Sequence, residues 1–139
     1  MKSSEYQTLY KMMKYIEKVE KYTFNVDYNS FSKNEEKVDA TILALGQIGE
    51  LVRNLNKDFI DKYSNIKWRQ IKGMRNRLIH DYDGINVQIV WDTITYDIPV
   101  LKKQLNKILN EDKIEWYIFT TVYLKVSITA NKNMTHQYI

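Results

Sequence analysis

The sequence predicts an all-α protein, an up-and-down bundle of four to five helices. Three observations lead there. Apolar residues recur at spacings of three and four along four separate segments, the period that gathers them on one helix face. The 139 residues include one Pro and four Gly, too few of the residues that all-β folds need at their turns. An alternating stretch appears only near the C-terminus, and nothing earlier in the chain offers it a partner strand.

The first helix is expected from Glu5 to about Tyr22, with Leu9, Met12, Met13, Ile16 and Val19 on its apolar face and Lys11, Lys14, Lys18 and Lys21 on or beside the other. Residues Thr23 to Lys33 carry Asn25, Asp27, Asn29 and Ser30 without a helical period and read as a loop. Ser32 or Asn34 can then cap a second helix, where Glu35 and Glu36 complement the dipole of its first turn. That helix runs to about Asn56 on Val38, Ile42, Leu45, Ile48, Val52 and Leu55. Gly46 and Gly49 inside it each cost about 1 kcal/mol relative to Ala. Three apart on one face, they predict a close approach by another backbone.

Lys57 to Asn65 reads as a turn with one short helix. A third helix starts near Ile66 and carries Trp68, Ile71, Met74, Leu78 and Ile79, and Asp81-Tyr82-Asp83-Gly84 stops it. A fourth spans about Asn86 to Asn110 on Val87, Val90, Ile94, Ile98, Leu101, Leu105 and Ile108. Pro99 should kink or break it. From Ile114 to Ala130 apolar and polar residues alternate with a β-branched bias, the pattern of a strand. A lone strand is not stable in water, so a fifth helix is preferred, with a strand paired across an oligomer, or disorder, as the alternatives. Residues 1–112 are thus expected to form a helical domain and 113–139 a C-terminal extension packed on the bundle or on a dimer.

Composition narrows the chemistry. With 44% hydrophobic and 27% charged residues the chain has the balance of an ordinary globular protein. It contains no Cys, which removes disulfides, thiolate metal sites and a Cys nucleophile. The start has no uninterrupted apolar h-region, no stretch approaches the roughly 20 apolar residues of a membrane span, and a cytoplasmic location is expected. A net charge of +4 favours a polyanionic partner only slightly. The two histidines, His80 and His136, have no carboxylate spacing suited to a metal, so neither metal nor cofactor is expected. There is no glycine-rich phosphate loop and no serine-hydrolase elbow.

The segment Trp68-Arg69-Gln70-Ile71-Lys72-Gly73-Met74, followed by Arg75-Asn76-Arg77-Leu78-Ile79-His80-Asp81-Tyr82, resembles the HepT family of HEPN toxins. The family motif is an Arg, four residues, a His, one residue and a Tyr, present as Arg75, His80 and Tyr82. Ile89-Val90-Trp91-Asp92, Pro99-Val100-Leu101 and Gly46-Gln47-Ile48-Gly49-Glu50 also look like that family, and the likeness covers about residues 5 to 110. It implies a helical bundle that forms a two-fold dimer with both motifs facing one cleft. It further implies a metal-independent ribonuclease that leaves a cyclic phosphate. The same resemblance implies a nucleotidyltransferase antitoxin that neutralises the toxin by transferring AMP to the motif Tyr, here Tyr82.

The residue types suit that chemistry. A His, with an ordinary pKa near 6.5, can serve as base or acid at neutral pH. An Arg offers a permanently charged planar fork to phosphate oxygens. Asn76 adds a neutral donor for positioning, while Arg77 and Asp81 are supporting candidates, Arg77 for RNA binding and Asp81 for orienting His80. On a straight helix Asn76 and His80 share a face, whereas Arg75 and His80 lie about 140° apart. Cooperation within one copy therefore needs a bend near His80 or a long reach by Arg75, and a homodimer offers a second solution. AMP on Tyr82 would set a bulky anion beside Arg75 and His80 and block RNA phosphate.

Bland alternatives stand beside each of these roles. His80 can be a structural histidine bonded to Asp81 or to a helix carbonyl. Arg75 and Arg77 can be a solvated basic face, Tyr82 a packing aromatic, and Asp81 a helix cap. Trp68 and Trp91 read as core or interface anchors. For the protein as a whole, the reading is a toxin ribonuclease acting on tRNA or mRNA. The alternatives are a non-catalytic HEPN protein presenting nucleotide or substrate to a nucleotidyltransferase, and a neutralising partner with vestigial activity.

Overall fold

A computed structural model describes residues 3–80 and 84–137 of the chain. Its described residues are almost entirely helical, as the apolar periods require. In chain order they form α1 (Ser3–Thr23), α2 (Tyr28–Lys33), α3 (Glu35–Leu51) with a 3₁₀ turn (Val52–Asn54), α4 (Lys57–Lys62), α5 (Trp68–Lys72) and α6 (Met74–Leu78). A two-residue antiparallel pairing of β1 (Ile79–His80) with β2 (Gly84–Ile85) follows. Then come α7 (Val87–Asp92), a π turn (Thr93–Asp97) and α8 (Ile98–Gln137). The chain falls into two compact units, Met1–Leu105 and Asn106–Ile139.

In the first unit α3 is the shared element, packed against α1, α2, α5, α6 and α7. α1 presents Leu9, Met12, Ile16 and Val19, all completely buried, at the expected three-four spacing. Burying each such side chain contributes about 1.5–3 kcal/mol before entropy is counted. α3 is buried over a wide arc that includes Val38, Ile42, Ala44, Leu45, Gly46, Ile48 and Gly49, because neighbours meet it on several sides. Its N-terminus is capped by Asn34, whose side chain accepts from the Lys37 N–H at 3.0 Å. Asn56 caps α4 through the Phe59 N–H, and Asn86 caps α7 through the Ile89 N–H.

Of the two glycines of α3, Gly49 does what their spacing predicts and Gly46 does not. A Cβ on Gly49 would come within 2.6 Å of the Ile71 carbonyl oxygen, so the backbone at the end of α5 lies directly on that position. At Gly46 the neighbour is a side chain, the aliphatic stem of Arg75, which a Cβ would meet at 3.8–3.9 Å.

Two expectations need correction, and the break expected at Pro99 is found. The segment read as a loop from Thr23 to Lys33 contains α2. Asp27 caps it by accepting from the Ser30 N–H at 2.8 Å, and completely buried Phe31 anchors it against the Trp91 ring. Two aromatic residues in six, Tyr28 and Phe31, are too few to read as a period, and their packing partner Trp91 lies far along the chain. The third helix is not continuous. It breaks at Gly73 into α5 and α6 and ends at Leu78, where Ile79 turns extended (φ −119°, ψ 119°). The fourth helix is interrupted ahead of Pro99 by the π turn, in which the Ile98 N–H reaches back to the Thr93 carbonyl. Pro99 has no N–H to donate, and the wider turn absorbs the mismatch.

The alternating stretch Ile114–Ala130 is helical, within α8. A helix satisfies its backbone hydrogen bonds internally, whereas a strand would need a neighbour. No helix among the described residues is long and apolar enough to cross a membrane.

Candidate active site

The motif is built on the short helix α6 and the pairing that follows it. Met74 and Leu78, both buried, hold α6 to the core and leave Arg75, Asn76 and Arg77 exposed. The helix closes when the Ile79 N–H donates to the Arg75 carbonyl. Beyond it, Ile79 pairs with Ile85 and His80 with Gly84, and the Asn86 N–H donates to the Leu78 carbonyl at 3.2 Å. Gly84 sits at φ 77°, a conformation that suits a residue without a Cβ. His80 is therefore carried by extended backbone two residues past the helix end. Asp81 and Tyr82 lie outside the described residues, as does the His80 side chain.

The end of α6 changes the geometry expected from a continuous helix. Asn76 and His80 cannot share a helical face, because α6 stops between them. The helical phase of about 140° between Arg75 and His80 no longer applies either. The bend that cooperation within one copy requires is present at Ile79.

Arg75 lines a concavity of about 320 Å³ formed by one face of α3 and the paired strands. Gly46 makes its floor, Leu43 and Ile85 give it exposed apolar walls, and Asp39 and Glu50 are the acids that share it with Arg75. Glu50 also pairs with Arg53 at 3.5 Å across one helical turn. The cleft is thus of mixed charge, with an arginine whose aliphatic stem lies beside Gly46 of the facing helix. The residues that sequence reasoning did not single out here are Asp39, Leu43 and Ile85. The paired glycines of α3 were the signal that this face is special.

Arg77 faces elsewhere. It lines a second cavity of about 150 Å³ with Ile71, Met74, Asp97, Leu101 and Gln104, and its guanidinium lies 3.6 Å from the Asp97 carboxylate. Both partners are roughly half exposed, so this pair contributes at most about 1 kcal/mol. The structure does not bring Arg77 into the concavity that Arg75 lines.

The two tryptophans sit where anchors are expected. Trp68 is buried, its ring beside Phe59 and its Nε1 donating to the Tyr63 carbonyl at 3.0 Å. Trp91 packs its ring on Phe31 and edge-on to Tyr28. Among the described residues no group of three His, Cys, Asp or Glu is placed to hold a metal ion.

A family model described as Ribonuclease HepT-like matches residues 12–108. The chain belongs to the HepT-like ribonuclease family. The match spans the motif, both concavities and the π turn. It stops before the exposed apolar part of α8.

Relatives agree with this placement in the HepT-like family. A protein of Caldanaerobacter subterraneus, provisionally named an RNase, is 42% identical over 88 residues, 63% of this chain and 79% of its own length. One from Methanocaldococcus jannaschii, also provisionally named an RNase, is 36% identical over 103 residues, 74% of this chain and 85% of its own. A protein of Thermococcus cleftensis named Probable ribonuclease HepT is 35% identical over 108 residues, 78% of this chain and 98% of its own. No solved structure matches the chain.

Proposed function

We propose that this HepT-like ribonuclease is the toxin of a toxin–antitoxin pair, cleaving RNA without a metal ion through Arg75 and His80. What supports the reading most is the end of α6 at Leu78. It leaves Arg75 on the last helical turn, exposed over Gly46, and carries His80 forward on extended backbone, free of the helical phase that would separate them.

In this mechanism His80 takes the proton from a ribose 2′-OH as its oxygen attacks the adjacent phosphorus. The new 2′-O–P bond forms and the P–O5′ bond breaks, leaving a 2′,3′-cyclic phosphate. The Arg75 guanidinium stabilises the charge that develops on the five-coordinate phosphorus, and Asn76 donates to hold the phosphate in register. In-line displacement puts the departing 5′-oxygen opposite the attacking 2′-oxygen, so its proton comes from a second group. His80 of a second copy supplies it in a two-fold homodimer. Arg77 and Asp81 have supporting roles, in RNA binding and in orienting the imidazole.

Control falls on the same few residues. A nucleotidyltransferase antitoxin transfers AMP from ATP to Tyr82: the phenolic oxygen loses its proton and bonds to the α-phosphorus, pyrophosphate leaves, and an anion is placed where the RNA phosphate would sit beside Arg75. The substrates are cytoplasmic tRNA or mRNA.

The deciding experiment is cleavage of labelled total tRNA and mRNA by unmodified wild-type and His80→Ala protein with EDTA present. Cleavage by the wild type alone, with cyclic phosphate ends, is the expected result. Equal cleavage by both removes His80 from the chemistry. Cleavage by neither turns the reading to a non-catalytic partner that presents nucleotide to a nucleotidyltransferase.

A further inference from the structure

The outer face of α1 carries a line of charge that the ribonuclease reading does not use. Lys11, Lys14, Lys18 and Lys21 follow one another at spacings of three, four and three, which sets them within an arc of about 80°. All four are exposed, and the stripe lies opposite Leu9, Met12, Ile16 and Val19, the buried residues that fasten α1 to the core. The chain has 21 Lys and Arg against 17 Asp and Glu, so these four lysines equal its whole basic excess.

The acids on the same face of the bundle leave the stripe open. Glu17 lies at its edge, 3.6 Å from the Lys14 ammonium, and Glu20 is turned toward Lys102, whose ammonium it meets at 2.8 Å. Tyrosines border the stripe on both sides. The Lys14 ammonium stands 5.0 Å from the centre of the Tyr10 ring, and the Lys18 ammonium 5.1 Å from that of Tyr15. Each contact holds a long side chain outstretched, so less rotamer freedom is left to lose on binding. Tyr10 is still 50% exposed, which leaves ring surface open to a flat partner.

We propose that this stripe is a track for single-stranded RNA, with its lysines on successive phosphates and Tyr10 stacked on a base. RNA as the class of partner rests on the ribonuclease reading; the place and the contacts do not. Successive lysines rise about 4.5–6 Å along the helix axis, comparable with the step between phosphates of one strand. An aromatic ring set among cations accepts any base, because every base has a π face. A lipid surface would be met by charge alone, since the apolar side of α1 is buried in the core. None of the four lysines lines the concavity of Arg75, so the track adds hold on RNA away from the reacting phosphate.

The probe is a labelled 2′-O-methyl RNA of about 20 nucleotides without self-complementarity, longer than the usual single-strand site and lacking the 2′-OH that cleavage needs. Its binding to the full chain is followed by fluorescence anisotropy over a range of salt. Lys11→Gln, Lys14→Gln, Lys18→Gln and Lys21→Gln together should weaken binding at least about tenfold. They should also make the slope of log affinity against log salt shallower by about 2–3, since each neutralised phosphate contributes about 0.7. Lys33→Gln, Lys57→Gln, Lys62→Gln and Lys72→Gln make the same change in net charge at exposed positions elsewhere, and should leave affinity within about threefold. Tyr10→Ala keeps every charge and should weaken binding at least about fivefold at unchanged slope. Circular dichroism checks that each variant keeps the helical bundle. Equal weakening by the two lysine sets, a slope that the stripe variant leaves unchanged, or full affinity in Tyr10→Ala overturns the proposal. So does a wild-type chain that does not bind the RNA, whether or not it binds phosphatidylglycerol vesicles. Because the probe cannot be cleaved, failure of the track and failure of the ribonuclease mechanism are read separately.

Discussion

α3 and the stretch from Ile114 to Ala130 are both helices rich in apolar residues, yet one buries them and the other leaves them in solvent. α3 mixes Val38, Ile42, Leu45 and Ile48 with Ala44, Gly46 and Gly49, and Gly49 lets the end of α5 come close. The C-terminal stretch carries large residues around its whole circumference and no glycine. Apolar content alone therefore does not make a core. A core also needs neighbours, and room for their backbones to approach. At Gly49 that room is taken by the end of α5, which leads directly into the helix that carries Arg75.

The comparison can be broken most directly by making one substitution in both regions. Leu45→Ala, at a completely buried position, should lower the stability measured by urea unfolding by about 2–5 kcal/mol. Leu124→Ala, at 58% exposure, should change it by no more than about 0.5 kcal/mol. Similar losses at both sites would mean that the stretch 114–130 is part of the folding core after all.

Two glycines sharpen the account of α3 itself. Gly49→Ala forces a Cβ against the Ile71 carbonyl oxygen at 2.6 Å, and should cost about 1–3 kcal/mol as α5 is pushed away. Gly46→Ala meets the Arg75 stem only at ordinary contact distance and gains helix propensity. It should be neutral or stabilising by up to about 1 kcal/mol. Comparable losses from the two would show that α6 approaches α3 as closely as α5 does.

The smallest effect is expected at α2. The Ser30 N–H holds the Asp27 carboxylate below its ordinary pKa of 3.8, so the ionised cap stabilises the folded chain above that value. The contribution should be lost as the pH falls through the lowered folded value. Asp27→Ala should melt slightly below the wild type at neutral pH, with the gap closing under strong acid. A gap that persists unchanged in acid would show that the cap does not act through its charge.

Much of this was legible along the chain because it is local. The stripe of α1, the cap at Asn34, the close approach at Gly49 and the disturbance at Pro99 all follow from the spacing and chemistry of adjacent residues. So did the Arg75, His80 and Tyr82 spacing that carries the family resemblance, although Tyr82 and the His80 side chain lie outside the described residues.

What escaped the sequence depends on partners far away in the chain. α2 exists because Phe31 finds Trp91, which no window around Phe31 contains. Gly73 and the Leu78 end divide one apolar run into two short helices, and the second is held by its packing on α3. Arg75 and Arg77, two residues apart, line different cavities, the first shared with α3 and the second with Asp97 and the start of α8. Periods and caps are properties of the chain, whereas which face meets which neighbour is settled only when distant segments compete for the same core.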